Sequence, residues 1–374
     1  MFSSLLPSMA NHLPASQAPI KVLVPHLPEV AALLPYLRRI DENRSYSNYG
    51  PLYREFVARL SALTGAKGVT ITSNGTTAIE LALRSRSTPG RRYCLMPSYT
   101  FIASAHAVCN AGLTPYLLEV DPDSLALTPE IAEAALATVP EPPAAVLVVS
   151  AFGAPPDFKA WAAFEARHAI PVVFDAAAAV TAISDVGAQP ACVSLHATKV
   201  LGIGEGGAIL TADTELTART TAMTGFGFMG VERLSSIRGG NYRISEYSAA
   251  VGLAALDALP DRLRALRDLT EAYRHRLEGK AAVLQRGVGV KWVTMTLNVT
   301  IPEQDVAGTI ERLDAAGIEW RRWWGLGCHR HPAFADVPRA DLSGTDKLAA
   351  RVIGLPFHDN LSDADLDRIT ACLK

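Results

Sequence analysis

Lys199 closes the run Ser194-Leu195-His196-Ala197-Thr198-Lys199, and Gly202-Ile203-Gly204-Glu205-Gly206-Gly207 follows it. Upstream, Val172-Val173-Phe174-Asp175 reads as a buried strand that ends in a carboxylate. A lysine set beyond a buried aspartate suits pyridoxal phosphate. The amine forms a Schiff base with the aldehyde, and the acid keeps the pyridine nitrogen protonated so that the ring takes up electrons. A lone lysine in a glycine-rich loop is ordinarily a solvated surface residue, so the groups around it have to decide between the two.

A second feature is Ser73-Asn74-Gly75-Thr76-Thr77, which closes one strand and opens a helix over Thr77–Arg84. Free N–H groups at Gly75, Thr76 and Thr77, the positive end of the helix and the Thr76 hydroxyl together make a phosphate site. An ordinary N-cap with a glycine turn has the same sequence. The pattern G-x-x-x-x-G-K-[ST] is absent, which leaves a triphosphate-binding loop unsupported.

The elements that must position these groups are legible from residue 67 to 211, where short β-rich runs alternate with amphipathic helical stretches. Strands are expected at 68–73, 93–96, 115–120, 145–150, 171–175, 191–195 and 207–211, and helices at 129–136 and 158–167 as well. Continuous apolar runs such as Val146-Leu147-Val148-Val149 suit strands covered on both faces. The alternation predicts an α/β domain around a mostly parallel sheet, with ligands at the carboxyl ends of its strands. After Pro260 the texture changes: a charged helix over 261–278, a strand pair or one long strand over 288–301, a helix over 304–316, a strand over 318–323 and a helix over 363–373. The predicted organisation is a loosely ordered leader at 1–20, a large domain at 21–260 and a small C-terminal α/β domain at 261–374.

Composition narrows the function classes. The chain has 374 residues and a formal net charge of −2, which gives no electrostatic case for nucleic acid or membrane partners. No apolar stretch reaches the roughly 18–20 residues of a membrane span. Cys94, Cys109, Cys192, Cys328 and Cys372 are odd in number and lack paired spacing, which predicts reduced thiols in a cytoplasm.

Taken in order, several stretches resemble the DegT/DnrJ/StrS sugar aminotransferases, fold-type-I pyridoxal phosphate enzymes. They are Ser73 to Thr76, Pro97-Ser98-Tyr99-Thr100-Phe101-Ile102-Ala103-Ser104-Ala105, Asp175-Ala176-Ala177, Ser194 to Lys199, Gly204 to Ile209, and Gly240-Asn241-Tyr242-Arg243-Ile244-Ser245-Glu246. The similarity runs from about residue 20 to the C-terminus. It implies that Phe101 stacks on the cofactor ring, Asp175 pairs with the ring nitrogen, Ser194 donates to the phosphate and Lys199 carries the cofactor and moves the proton. It implies also that Asn241 reaches the cofactor phosphate of a neighbouring subunit, in a homodimer with shared active sites. Without the resemblance, Phe101 reads as a core residue and Asn241 as a turn residue.

One position departs from the family pattern. Where the family has His or Gln beside the cofactor phenolate, this chain has Ala178. Retention of Lys199, which dehydratases of the family replace with His, favours amino transfer. The implied activity is a transaminase that converts a keto group of a nucleotide-linked deoxy sugar to an amine, with an amino acid such as glutamate as donor. The Ser-x-His-Ala-Thr-Lys motif looks most like members acting on dTDP-4-keto-6-deoxyglucose. The alternatives are a free keto-cyclitol or other ketone as substrate, or a non-catalytic binding or regulatory protein on the same fold. The segment Cys328-His329-Arg330-His331 has no second cluster at ligand spacing, so no metal is expected. Its resemblance to a substrate-side loop makes His329 a weak substrate-contact candidate. Trp320, Trp323 and Trp324 with Arg321 and Arg322 fit either nucleotide binding or core packing.

Overall fold

The computed structural model describes residues 18–230 and 234–374. Most of the expected leader lies outside the described residues. Ile20, at its end, is buried and pairs with Ile318, so the chain is already tied down there.

The central sheet contains β1 (Gly68–Thr72), β2 (Tyr93–Pro97), β3 (Thr114–Leu118), β4 (Ala145–Val149), β5 (Val172–Asp175), β6 (Ala191–Ser194) and β7 (Gly207–Thr211), in the order β1-β7-β6-β5-β4-β2-β3. Strands β2 to β6 run parallel, whereas β7 is antiparallel to both β1 and β6. The apolar runs are buried along their whole length, because helices cover both faces. All seven expected strands form, within two residues at either end.

The helices begin with α1 (Val30–Asn43), α2 (Pro51–Thr64), α3 (Gly75–Arg86), α4 (Ile102–Asn110), α5 (Pro129–Ala135), α6 (Phe158–His168) and α7 (Thr214–Thr224). A short hairpin of β8 (Phe228–Met229) and β9 (Leu234–Ser235) precedes α8 (Glu246–Leu277). Beyond it, β10 (Val283–Leu284), β11 (Leu297–Thr300) and β12 (Val352–Leu355) form an antiparallel sheet with α9 (Val306–Ala315), α10 (Ser343–Arg351) and α11 (Asp363–Ala371).

This second region departs from the sequence expectations. The charged helix extends back to Glu246 and passes through Pro260 unbroken, so the expected boundary at 260/261 falls inside a helix. Proline costs one backbone hydrogen bond there, and the packing of α8 against α1, α2 and α11 offsets it. Of residues 288–301 only Leu297–Thr300 makes a strand, because Gly287 and Gly289, both at positive φ, turn the chain first. Residues 318–323 form no strand, and their backbone pairs only as single bridges at Ile318 and Arg321.

Glu246 has a structural task at the start of α8. The N-cap of α2 is Gly50, which has no side chain, and Pro51 has no N–H. The orphan donors of that first turn are therefore Leu52 and Tyr53, and the buried Glu246 carboxylate accepts from both, at 2.8 and 2.9 Å. A Cβ on residue 50 would lie 2.5 Å from that carboxyl group, so glycine is required for the cap to be supplied from a distant helix.

Glu246→Ala would leave both donors buried and unpaired, at about 1–3 kcal/mol each. A clearly lowered urea midpoint is expected for it, with Glu246→Gln falling in between because one acceptor oxygen remains. Equal midpoints for wild type and Ala variant would show that water replaces the cap.

Candidate active site

The ends of β1, β2, β4, β5 and β6, together with the start of the antiparallel β7, meet at one edge of the sheet. There they enclose a cavity of about 360 Å³. Of the site residues expected from the sequence, Gly75, Thr76, Phe101, Asp175, Ser194 and Lys199 all line it.

The cradle at α3 follows from local geometry. Asn74 is extended and caps the helix by accepting from Thr77 N–H at 2.8 Å. The N–H groups of Gly75 and Thr76 find no acceptor among the described residues. Thr77 is buried and does not line the cavity, and its donor is already spent on Asn74. Ser194 lies against this turn: a Cβ on Gly75 would come within 3.0 Å of the serine Cβ. The Ser194 oxygen accepts from His196 N–H, which leaves its own proton free to donate. Gly207 completes the approach, since a Cβ there would sit 2.5 Å from the Asn74 carbonyl group.

Asp175 ends β5 and is 5% exposed. Its two oxygens are held separately, one by the Ser104 hydroxyl at 2.6 Å and the other by Ala177 N–H at 3.1 Å. Because the Ser104 proton goes to Asp175, the Thr100 hydroxyl donates in turn to Ser104, at 2.8 Å. Burial is the largest influence on the carboxyl group and raises its pKa; the two hydrogen bonds and the nearby Lys199 pull it back. Burial likewise lowers the pKa of Lys199, and Asp175 opposes that shift. Lys199 keeps some accessible surface and lines the cavity.

Phe101 is 56% exposed and borders the cavity as the N-cap of α4, so it is not a core residue. Ala178 also lines the cavity. Nearby, the Ser150 hydroxyl is buried without a hydrogen-bond partner among the described residues, another polar group in the lining that the chain itself leaves unsatisfied.

The far wall was only partly legible. Trp323 and Trp324 face the cavity, whereas Trp320 lies away from it and donates to Asp314 at 2.9 Å. Trp324 stacks on Phe152 with centroids 3.9 Å apart, and Tyr99 meets it edge-on. Phe152 holds a left-handed backbone at φ 53°, which no residue pattern announces. Gly354 of β12 must lack a Cβ for Trp323 to lie across it. Ser104, His196 and Glu205 were within the quoted motifs, but their side-chain roles depend on contacts that spacing does not show.

His329 is a correction. It does not line the cavity, and both its ring nitrogens are engaged, with Ser98 Oγ at 2.7 Å and Asp346 Oδ1 at 2.9 Å. It fastens the loop after β2 to α10, and Arg330 and then His329 hold the Asp346 carboxyl below the usual range. Asn241 is also outside its own chain's cavity. It is exposed, and its side-chain oxygen accepts from Arg243 at 2.9 and 3.1 Å. Exposed Phe226, Met229 and Leu234 belong to the same stretch of chain. Among the described residues no group of three or more His, Cys, Asp or Glu could hold a metal ion.

The donor set fits pyridoxal phosphate. Two free N–H groups at a helix start, with the Thr76 and Ser194 hydroxyls, suit a phosphate; a buried carboxylate suits a ring nitrogen, and an amine inclined toward neutrality suits an aldehyde.

Comparison with known proteins agrees. Residues 29–374 match the family model for the DegT/DnrJ/EryC1/StrS aminotransferase family. A dTDP-4-amino-4,6-dideoxy-D-glucose transaminase of Shigella dysenteriae is 28% identical over 96% of this chain and 99% of its own. The solved structure of DesI with its TDP-sugar product is 31% identical, with a TM-score of 0.84 over 95% of this chain and 92% of that one. A proposed PLP-dependent aminotransferase from Bacillus cereus superposes with a TM-score of 0.89 at 28% identity, over 95% of this chain and 99% of that one.

The opposed influences on Lys199 give a pH test in cofactor-free protein. Asp175 is what raises the amine's pKa against burial, so Asp175→Asn should lower it further. Only the neutral amine reacts with an acylating reagent, so the inflection of modification rate against pH, followed on the Lys199 peptide by mass spectrometry, should move down. An unmoved or raised inflection would mean that the carboxylate carries no charge the lysine senses.

Proposed function

Because the chain belongs to the DegT/DnrJ/EryC1/StrS aminotransferase family and is a pyridoxal-phosphate-dependent transaminase, we propose that it moves an amino group from an amino acid, glutamate, onto the keto carbon of a nucleotide-linked deoxy sugar. The observation that carries this reading is the meeting of Asp175, Lys199 and the uncapped donors of α3 around one cavity. The TDP-sugar in DesI and the dTDP-sugar named for the Shigella enzyme support the nucleotide-linked substrate.

In this reading the Gly75 and Thr76 N–H groups and the Thr76 and Ser194 hydroxyls hold the phosphate, with Thr77 serving through its bond to Asn74. Phe101 would lie against the ring, Asp175 would pair with the ring nitrogen and Lys199 would hold the aldehyde carbon. The bound cofactor supplies an electron sink for the carbon that loses its proton. Asp175, clamped by Ser104 and Ala177, keeps its charge where the ring nitrogen needs a partner. Lys199, pushed toward neutrality by burial, takes a proton from one carbon and returns it to another. The wall of Trp323, Trp324 and Phe152 keeps water from that side. Ala178 leaves the phenolate without the donor that His or Gln would provide.

Asn241 completes the phosphate site of a second copy in a homodimer. Its exposure outside its own cavity, among exposed apolar side chains, supports this. The free cysteines support a cytoplasmic setting.

Borohydride reduction of the holoenzyme should fix the cofactor on the peptide containing Lys199; attachment elsewhere would overturn its role. The enzyme, first converted by glutamate to its amine form, should then lose that form to a nucleotide keto sugar and not to free ketones. Turnover of free ketones alone would replace the nucleotide-sugar reading.

The shared site has its own test. Two inactive variants, one lacking Lys199 and one lacking Asn241, should recover activity on mixing, up to one working site per heterodimer. No recovery despite demonstrated subunit exchange would deny Asn241 its role across the interface.

A further inference from the structure

The antiparallel register of β6 and β7 pairs Ser194 with Gly207 and continues past the ends of both strands. Leu195 N–H donates to the Gly206 carbonyl at 2.8 Å, and Ala197 N–H to the Gly204 carbonyl at 2.7 Å. His196 and Glu205 are therefore directly opposite each other, as a cross-strand pair beyond the sheet. Both line the cavity, and with side chains 44% and 71% exposed they stand at its rim.

The backbone also fixes the state of the imidazole. Thr198 N–H donates to His196 Nδ1 at 3.2 Å, and the Thr198 hydroxyl lies 2.8 Å from the same nitrogen. With Nδ1 accepting from the backbone, Nε2 is the ring nitrogen left to donate. Nε2 is 3.6 Å from Glu205 Oε1. That is too long for a direct hydrogen bond, so the N–H and the carboxylate both retain capacity. Two atoms at that separation can each lie about 2.8 Å from one hydroxyl oxygen set between them. A hydroxyl both accepts and donates, which is what this pair asks for. A phosphate or carboxylate would meet Glu205 as a like charge.

We propose that His196 and Glu205 form a hydroxyl-reading subsite that selects the keto sugar by one of its ring hydroxyls and acts in the sugar half-reaction, not in the amino-acid half-reaction. This rests on the keto-sugar reading above. An acidic donor such as glutamate gains nothing from a rim carboxylate, so the pair separates two substrates that share one cavity.

The test uses the holoenzyme, with each half-reaction followed separately by cofactor absorbance. Glu205→Gln removes the charge, and His196→Asn keeps an acceptor for Thr198 N–H but removes the Nε2 donor. The probes are glutamate, dTDP-4-keto-6-deoxyglucose and the 2-deoxy and 3-deoxy forms of that sugar. Each variant should slow the sugar half-reaction about 10- to 100-fold and slow it at least tenfold more than the glutamate half-reaction. One deoxy sugar should be poor for the wild type and lose little further in the variants, since the contact is already gone. Equal losses in both half-reactions would make the pair a prop for the Lys199 loop and overturn the proposal. Unchanged sugar kinetics, or losses that are the same for every sugar, would overturn it too. Rejection of every nucleotide keto sugar by the wild type would instead bring down the substrate reading, and the proposal with it.

Discussion

Burial sets the terms on which Asp175 and Lys199 share a cavity. Burial pushes both toward neutrality, and each opposes that shift in the other. The surroundings break this symmetry in favour of the carboxylate. Asp175 receives a hydroxyl and a backbone N–H, and the hydroxyl is itself supported by Thr100. Lys199 feels only the opposing pulls of burial and Asp175. The carboxyl group is thus held by more partners than the amine beside it, and burial lowers the pKa of that amine.

Much of this was readable from residue order. The apolar runs of β1 to β7 are buried on both faces, and that demand writes itself into consecutive positions. Lys199, Asp175, Ser194 and the Gly75-Thr76 turn lie at the ends of such runs, so locating the strands located the chemistry. The second unit was harder because its strands are short and set by partners. Val352–Leu355 pairs with Leu297–Thr300 across a long gap in sequence, and each run is only four residues long. His329 sat in a suggestive motif, yet its partners Ser98 and Asp346 come from distant segments that no local pattern connects. Phe152 and Trp324 meet in the same way, through tertiary contact alone.

The glycines of the site share a physical reason. Gly75, Gly207 and Gly354 stand where a side chain would occupy space needed by Ser194, Asn74 or Trp323. Gly50 does the same for Glu246 outside the site. In each case the missing Cβ lets a polar or aromatic group approach a backbone that would otherwise be shielded. Placement of the functional groups therefore depends as much on these close approaches as on the groups themselves.

The strand order also governs when the site can come into being. β7 lies between β1, which leads into the α3 turn, and β6, which leads to Ser194 and Lys199. It is the last of the seven to leave the ribosome. Until it arrives, β1 has no strand partner and β6 presents an unpaired edge. Closing that gap joins segments far apart in sequence, a step whose entropic cost is met only when the contacts form. A chain halted before Gly207 would hold both the turn and the lysine and still lack the strand that ties β1 into the sheet.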